Sequence, residues 1–237
     1  WDVLAGATFA KGDRRYQQWA TARKGVYTTN GGILAVIKRS GPSSGPTQSP
    51  PDLVCLALLG QFQGYFPGYS KLIAQHHNYL SWVILKAHTH NSAGTVTLRS
   101  TDPRDTPLIN FHYFDEGNDT AQQDLEAVVD GIEFVRTMTT RVSKYIASEE
   151  LPGKDVRSRE ALRQFVRNNA WGHHASCTCA IGPREKNGVV NGNFQVHGTQ
   201  RLRIVDASIF PKIPGFFIVS SVYMVGEKAS EVILADV

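Results

Sequence analysis

The stretch Trp171–Gly182, WGHHASCTCAIG, places two adjacent histidines ahead of a Cys-Thr-Cys run. About twenty residues later a short strand-like run, Leu202–Val205, is closed by Asp206, Ala207 and Ser208. Histidine is the side chain whose charge changes near neutral pH, so it can take a proton from a hydroxyl group. The two stretches together predict that the chemistry lies in the C-terminal part of the chain.

His174 is the leading candidate for proton transfer, although a single histidine is more often structural than catalytic. A nucleophilic cysteine would need a lowered pKa and a positioned base, and the sequence indicates neither for Cys177 or Cys179. Their spacing, with one intervening residue, is too tight for an ordinary disulfide and is unfavourable for binding zinc. Cys55 lies in an apolar run and is predicted to be buried. The cysteines are therefore interpreted as packing residues.

Other catalytic patterns are poorly supported by the sequence. The spacing G-x-S-x-G occurs at Gly41–Gly45, inside a Ser-, Pro- and Gly-rich segment rather than at a strand-to-helix turn, and no H-E-x-x-H pair is present. His88 and His90 share a strand face and could bind a metal, but two histidines at this spacing often arise by chance. No metal site is predicted.

Composition limits the class of protein. The 237 residues, 41% of them hydrophobic, suffice for one large or two small domains. The formal net charge is +4, but the basic residues are scattered without interleaved aromatics, which argues against nucleic-acid binding. No run of eighteen apolar residues occurs, so no membrane-spanning helix is expected. The first residues lack a signal-peptide pattern and suggest a processed or truncated chain, and the compartment stays open.

The N-terminal part alternates a helix, strands and loops. Tyr16 and Trp19 share helical spacing, and Gly25 is expected to end that helix. A buried strand is predicted at 33–37 and another at 53–59. The intervening segment 40–52 is rich in Ser, Pro and Gly and is predicted to be an exposed, flexible loop.

The middle of the chain predicts a strand hairpin. Alternation over 82–88 and 95–99, with a turn at 91–94, favours two antiparallel strands. A further extended segment is predicted at 108–113. The aromatic loop 62–69 either lines a pocket or is pinned to the core.

Three helices are predicted in the second half. Asp119 can cap a long helix whose apolar residues recur at three and four from Leu125 to Met138. Ser158 can cap a shorter helix that leads into the histidine stretch. The last helix is predicted over Val219–Leu234.

Four stretches in order resemble the glucose–methanol–choline (GMC) oxidoreductases. That family carries a substrate-domain signature G-x-V-x-L-x-S-x-D-P, then H-P-x-G-T-C-x-M-G, G-V-x-x-L-R-V-V-D-A-S-x-x-P and Y-M-x-x-E-K-A-A-x-x-I. The first matches Gly94–Pro103. The matching residues in the C-terminal stretches are His174, Thr178, Cys179, Gly182, Gly198, Leu202, Arg203, Val205, Asp206, Ala207, Ser208, Pro211, Tyr223, Met224, Glu227, Lys228, Ala229 and Ile233. The resemblance covers 53–237 well and 1–52 loosely.

The resemblance implies an α+β fold and a cofactor, FAD. Residues 1–170 would form a substrate-binding domain with an antiparallel sheet flanked by helices. Residues 171–237 would carry the active-site motif and complete a Rossmann-like FAD domain.

The same resemblance implies roles for individual residues. His174 would be the base beside flavin N5, with His173 as a neighbour of the flavin. Asp206 and Ala207 would contact the ribityl and pyrophosphate part. The start of the last helix, Phe217-Ile218-Val219, would direct N–H groups at the isoalloxazine ring, where a helix N-terminus stabilises negative charge.

Two departures from the family pattern stand out. Phe217 occupies the position of a second active-site His or Asn, and a phenyl ring cannot exchange a proton. No G-x-G-x-x-G dinucleotide motif occurs in this sequence. We therefore expect a second polypeptide that carries the N-terminal half of the FAD site and covers apolar faces of the last helix and of 202–205.

Three functions remain open from the sequence. The first is oxidation of an alcohol, with hydride transfer to flavin N5 and His174 as the base. The second is a GMC-fold lyase or cyclase that uses FAD structurally, which Phe217 favours. The third is a non-catalytic binding subunit. The aromatic loop 62–69 and the face of Trp82, Ile84 and His88 suggest an apolar or aromatic substrate.

Overall fold

The computed structural model describes residues 3–41 and 50–236. The helices are α1 Arg14–Ala22, α2 Tyr69–Gln75, α3 Gln123–Thr140, α4 Arg159–Asn169 and α5 Val219–Ala235. The strands are β1 Gly32–Lys38, β2 Leu53–Leu59, β3 Leu80–Lys86, β4 Thr95–Thr97 and β5 Leu108–Asn110. The predicted α+β class is confirmed.

Strands β1, β2 and β3 form a sheet in that order, with β1 and β2 antiparallel. Strand β2 is the buried strand that its apolar run predicts, and Cys55 at its centre is fully buried. The prediction that 33–37 is buried is wrong. Strand β1 lies at the sheet edge, and the side chains of Ile33, Leu34 and Ile37 are each at least half exposed. A continuous apolar run predicts burial, but an edge strand has a neighbour on one side only.

The predicted hairpin between 82–88 and 95–99 is also wrong. Strand β4 pairs with β5 in a separate two-stranded sheet, whereas β3 pairs with β2. The turn residues between β3 and β4 are bound to a later segment: the Asn91 side chain donates to the His112 carbonyl (3.0 Å) and accepts from the Asn118 N–H (3.1 Å). The Asn91 side chain also accepts the N–H of Ala93 (3.3 Å), so this local turn is bonded to the later segment and does not lead into a hairpin.

The predicted helix starts are confirmed. The Asp119 carboxylate accepts the backbone N–H of Asp124 in the first turn of α3 (2.8 Å), and the Ser158 hydroxyl accepts the N–H of Ala161 at the start of α4 (3.1 Å). Helix α1 is capped by Asp13, which accepts the Tyr16 N–H (2.6 Å). It ends at Ala22, before the predicted stop at Gly25, because its next residue adopts a left-handed conformation.

The chain divides into two compact units. One comprises 1–85 and 127–166, and the other 86–126 and 167–237. The functional division at residue 170 stays a prediction. Most of the predicted flexible loop 40–52 lies outside the described residues.

The second unit has a small core of its own. Val190, Phe194, Ile209 and Ala229 are buried together. The predicted strand at 202–205 is wrong: this run makes an isolated bridge between Arg203 and Gln195 and no ladder. Of the helices in the described ranges, none is both long and apolar enough to cross a membrane.

Candidate active site

The histidine stretch lies alongside the segment predicted to contact the flavin. The backbone N–H groups of Cys177 and Cys179 donate to the carbonyls of Ala207 (3.2 Å) and Ser208 (2.9 Å). Two stretches separated by about twenty residues of sequence are thereby held side by side. The carboxylate of Asp206 accepts the Ser208 N–H (2.7 Å), which fixes the turn that carries Ala207.

His174 is half-buried, and its pKa lies below its ordinary value of 6.5. Desolvation by burial is the largest cause, and the charge of His173 acts in the same direction. A hydrogen bond to the backbone of Phe216 opposes them by raising the pKa. A bond that raises the pKa of an imidazole stabilises its protonated form, so the ring donates and the Phe216 carbonyl accepts. The imidazole is therefore neutral at neutral pH.

The predicted partner of His174 lies beside it. The Phe217 ring is nearly perpendicular to the His174 ring, at 76° and 6.4 Å between centroids. Phe217 is 55% exposed, so its ring forms an open apolar wall next to the imidazole. This position offers no group that can accept or donate a proton.

Three aromatic rings of the histidine stretch contact one another in sequence. Trp171 stacks on His173 at 5.2 Å and 24°, and His173 meets the edge of His174 at 4.5 Å and 60°. His173 is exposed, whereas His174 is half-buried. The stack therefore runs from the candidate base towards solvent.

The N-terminus of α5 follows directly. Ile218 occupies the N-cap position and no side chain caps the helix. No charged residue occurs between Ile213 and Gly226. No acidic side chain of the first turn competes for these N–H groups, which suits an anionic group.

The cysteines occupy structural positions. No disulfide joins the three residues, and the thiols of Cys177 and Cys179 are partly buried. Burial raises the pKa of the Cys55 thiol, which disfavours its nucleophilic form.

The alternative metal site is unfavourable. His90, Asp119 and Asp124 lie close enough together to hold an ion. His88, the other histidine considered from the sequence, does not belong to this group. However, the Asp124 carboxylate accepts the N–H groups of His90 and Asn91 at 3.0 Å each, and Lys86 Nζ lies 3.6 Å away. An ammonium group beside this carboxylate opposes a cation, and the group is better explained as the start of α3.

Comparisons with known proteins show the family of the chain. The GMC oxidoreductase family profile matches residues 90–226. The chain belongs to the GMC oxidoreductase family. An oxygen-dependent choline dehydrogenase of Pseudomonas savastanoi pv. phaseolicola is 40% identical over 143 residues, 59% of this chain and 24% of that protein. The glucose methanol choline oxidoreductase atC of Aspergillus terreus is 35% identical over 160 residues, 67% of this chain and 25% of that protein.

A solved structure of formate oxidase from Aspergillus oryzae RIB40 superposes with a TM-score of 0.75 at 25% identity, covering 94% of this chain and 41% of that one. The chain spans about a quarter of the length of the curated GMC relatives that it matches. The predicted family and fold are confirmed.

FAD is the cofactor that a GMC site must accommodate, and the residues present fit it. The uncapped start of α5 suits the negative charge of a reduced isoalloxazine, and the apolar residues Phe217 and Val219 at this end are exposed. The predicted contact residues His173, Asp206, Ala207, Phe217, Ile218 and Val219 all lie in the second unit with His174. Their individual roles stay predictions.

Two features of the candidate site are not predicted by the sequence. The Phe216 carbonyl that binds His174 is a backbone group, and no sequence pattern identifies its direction. Tyr113 was predicted only as part of an extended segment, yet its hydroxyl lies 2.8 Å from where a Cβ at Gly172 would stand. The absence of a side chain at Gly172 allows this approach.

Proposed function

We propose that this chain forms the alcohol-oxidising part of an FAD-dependent GMC oxidoreductase, with His174 as the base. The observation that carries the proposal is the placement of His174: its half-buried ring lies beside Phe217, with one N–H bonded to the Phe216 backbone and its pKa lowered by burial. The other ring nitrogen is then the acceptor, because a neutral imidazole has one donor and one acceptor. Hydroxyl deprotonation needs this form of the ring.

Each residue of the site has a part in this reaction. His174 takes the hydroxyl proton as the carbon-bound hydrogen leaves, and the Phe216 carbonyl stabilises the imidazolium that forms. Phe217 excludes water from one side of the imidazole. Bound FAD supplies the acceptor of the hydride at N5. Asp206, Ala207 and the first turn of α5 would hold the cofactor, with His173 beside it.

The substrate is proposed to be an alcohol with an apolar or aromatic group. Phe217 replaces the second polar side chain of the family pattern, so this side of the site offers an apolar surface. Choline, the substrate in the name of one relative, is also an alcohol.

We further propose that a second polypeptide carries the N-terminal half of the FAD site. The support is a group of exposed apolar side chains at the start of α5, where Val219 is 61% exposed and Tyr223 and Met224 are each 72% exposed. Large apolar side chains exposed close together on a soluble protein often mark an interface.

Anaerobic reduction of the flavin tests the proposed activity. The purified flavin-bound protein is mixed with benzyl alcohol or choline, and bleaching of the flavin absorbance is followed. The His174→Ala variant should reduce its flavin about 10²–10⁴-fold more slowly, the usual contribution of a positioned general base. His76→Ala, an exposed histidine in the other unit, is the matched control. Bleaching at the same rate in His174→Ala would remove His174 from the mechanism.

The second candidate is a GMC-fold lyase or cyclase in which FAD has a structural role. Phe217 favours it, because the site has one proton-transferring side chain where the family pattern has two. No alcohol would then bleach the flavin, while a substrate would be converted without change in the flavin spectrum.

A further inference from the structure

A cleft of about 340 Å³ lies in the second unit, along the segment that follows β5. The aromatic side chains of Phe111, Tyr113 and Phe114 line it, together with Arg167 at the end of α4. This volume lies at the lower end of the range for ligand sites, about 300–1,000 Å³, so the cleft suits one small molecule.

Phe111 and Tyr113 give the cleft an open aromatic surface. Their rings stack at 5.1 Å between centroids, with 15° between the planes. Phe111 is 51% exposed and Tyr113 is 39% exposed, so part of each ring surface is accessible. A further aromatic ring can pack against such a surface in an offset-stacked or edge-to-face arrangement.

The backbone that presents these rings is strained. His112 (φ 46°) and Phe114 (φ 52°), on either side of Tyr113, both lie in the left-handed region. Bulky side chains rarely adopt this conformation, and such strain clusters at catalytic and ligand-binding sites. Asn91 Nδ2 donates to the His112 carbonyl (3.0 Å), and the Gly117 N–H donates to the Phe114 carbonyl (3.0 Å). These bonds hold the strained segment, and with it the rings, in one conformation.

The charges of the cleft favour a neutral ligand. Arg167 Nε lies 2.9 Å from the Asp115 carboxylate. The carboxylate of Glu116 lies 3.8 Å from His112 Nδ1, and its side chain is 71% exposed to water. An ion that entered the cleft would compete with the pair of Arg167 and Asp115, whereas a neutral aromatic ring would leave that pair intact.

Tyr113 connects the cleft to the histidine stretch. Its hydroxyl lies 2.8 Å from the position of a Cβ at Gly172. Gly172 precedes His174 by two residues, so their Cα atoms are at most about 7 Å apart. Burial alone raises the pKa of the Tyr113 hydroxyl, and no hydrogen bond to a described residue contributes. This hydroxyl is therefore available to a polar group of a ligand.

We propose that the cleft binds the aromatic ring of the alcohol substrate, and that Phe111 and Tyr113 determine a preference for an aromatic over a saturated ring. The assignment deepens the proposed function and rests on it for the identity of the substrate. The substrate ring packs on the open surfaces of Phe111 and Tyr113, and its hydroxymethyl group extends past Gly172 towards His174. A saturated ring of the same size makes no aromatic contact there and binds less tightly.

Two alcohols that differ only in the ring test the proposal. Benzyl alcohol or cyclohexylmethanol is mixed anaerobically with the flavin-bound protein, and the rate of flavin bleaching is measured against alcohol concentration. Half-saturation should need about 10-fold less benzyl alcohol than cyclohexylmethanol, the scale of one aromatic pair. In Phe111→Leu and Tyr113→Leu this ratio should fall towards one. The limiting rate with each alcohol should stay unchanged, because only binding is altered.

Binding without reaction gives a second readout. Benzamide and cyclohexanecarboxamide carry the same two rings but no alcohol group. Calorimetric titration of the flavin-bound protein should show a preference of about 10-fold for benzamide, which the two leucine variants lose. Tyr113→Phe keeps both rings and should retain the preference. Tyr145→Leu, which removes a 65% exposed ring from the other unit, is the matched control and should also retain it.

The outcomes separate this inference from the proposed function. If neither alcohol bleaches the flavin but the preference for benzamide depends on Phe111 and Tyr113, the oxidation is wrong and the cleft still binds an aromatic ring. If benzyl alcohol bleaches the flavin and both leucine variants keep the preference, the oxidation stands and the cleft assignment is wrong.

Three other results would also overturn the cleft assignment. Equal binding of the two amides, or binding of neither, would show that the cleft does not recognise an aromatic ring. Loss of the preference in Tyr65→Leu alone would place the substrate ring at the aromatic loop 62–69. Loss of flavin from both leucine variants would mean that the second polypeptide covers the cleft.

Discussion

His174 sets the pH dependence expected at the scale of single residues. Its pKa lies below 6.5 because of desolvation first and the charge of His173 second. The reaction needs the neutral ring, so flavin reduction should be constant above neutral pH and fall as the pH drops through the pKa of His174. The His173→Gln variant lacks the neighbouring charge, so its acid limb should move to higher pH. Stopped-flow reduction rates between pH 5 and 8 measure both limbs, and an acid limb centred above 6.5 in the unsubstituted protein would contradict this prediction.

Cys177 is a residue at which the chain departs from the family pattern at a structural cost. It adopts φ 72°, in the left-handed region, where the family pattern has glycine. A residue with a Cβ in this region destabilises the folded state by about 1–2 kcal/mol. Glycine in turn lowers the free energy of unfolding by about 0.4–1 kcal/mol, because it makes the unfolded chain more flexible. Cys177→Gly should therefore raise the stability to unfolding by about 1 kcal/mol.

Thermal unfolding of the flavin-bound protein checks this change, with Cys177→Ala as the control. Alanine loses the thiol but keeps the Cβ, so it should give no such gain. Equal effects of the two substitutions would show that the thiol, and not the backbone, is responsible.

At the scale of secondary structure, β3 packs closely on α3 at Gly131. A Cβ at Gly131 would lie 2.6 Å from Ile84 Cγ2. Alanine in a helix interior is normally better than glycine by about 1 kcal/mol. Gly131→Ala should nevertheless destabilise the protein by about 1–3 kcal/mol, as overpacking does.

A double-mutant comparison isolates the contact between Gly131 and Ile84. In an Ile84→Ala background the methyl group has room, so Gly131→Ala should be neutral or stabilising in urea unfolding. An increase in stability from Gly131→Ala alone would mean that the two elements are not in contact.

Local sequence patterns predict the elements whose formation depends on residues close to one another in the sequence. Helix α3 follows from its apolar period and from the carboxylate of Asp119, and α4 follows from the hydroxyl of Ser158. The pairing of β4 with β5 could not be predicted, because the long-range bonds of Asn91 to His112 and Asn118 decide the path of that turn. Local alternation does not contain such information.

The candidate site divides in the same way. Neighbouring residues and the family pattern predict that His174 and Phe217 belong to one site, and their rings do lie 6.4 Å apart. The bond from His174 to the Phe216 carbonyl depends on backbone direction in a loop without regular structure. Its existence follows only from the folded chain.

At the scale of the whole molecule, the exposed face of α5 should be an interface. Met224 is 72% exposed, and a lysine there would place a charge in any apolar contact. If the proposed FAD-binding polypeptide covers this face, Met224→Lys should reduce the flavin content of the purified protein and the recovery of that polypeptide. Thr137→Lys, at an exposed position of α3, should change neither.

Denaturing electrophoresis of the unsubstituted protein completes the test. Two polypeptides that purify together and separate only in denaturant are the expected result. The second polypeptide should be the longer one, because this chain spans only about a quarter of the length of its GMC relatives. One polypeptide that contains this sequence and the whole FAD site would contradict the second chain. Its apolar face would then be covered within one molecule, and Met224→Lys would still lower the flavin content. Full flavin content in Met224→Lys would instead mean that this face stays in water, because a buried lysine charge without a partner costs several kcal/mol, on the order of 3–5.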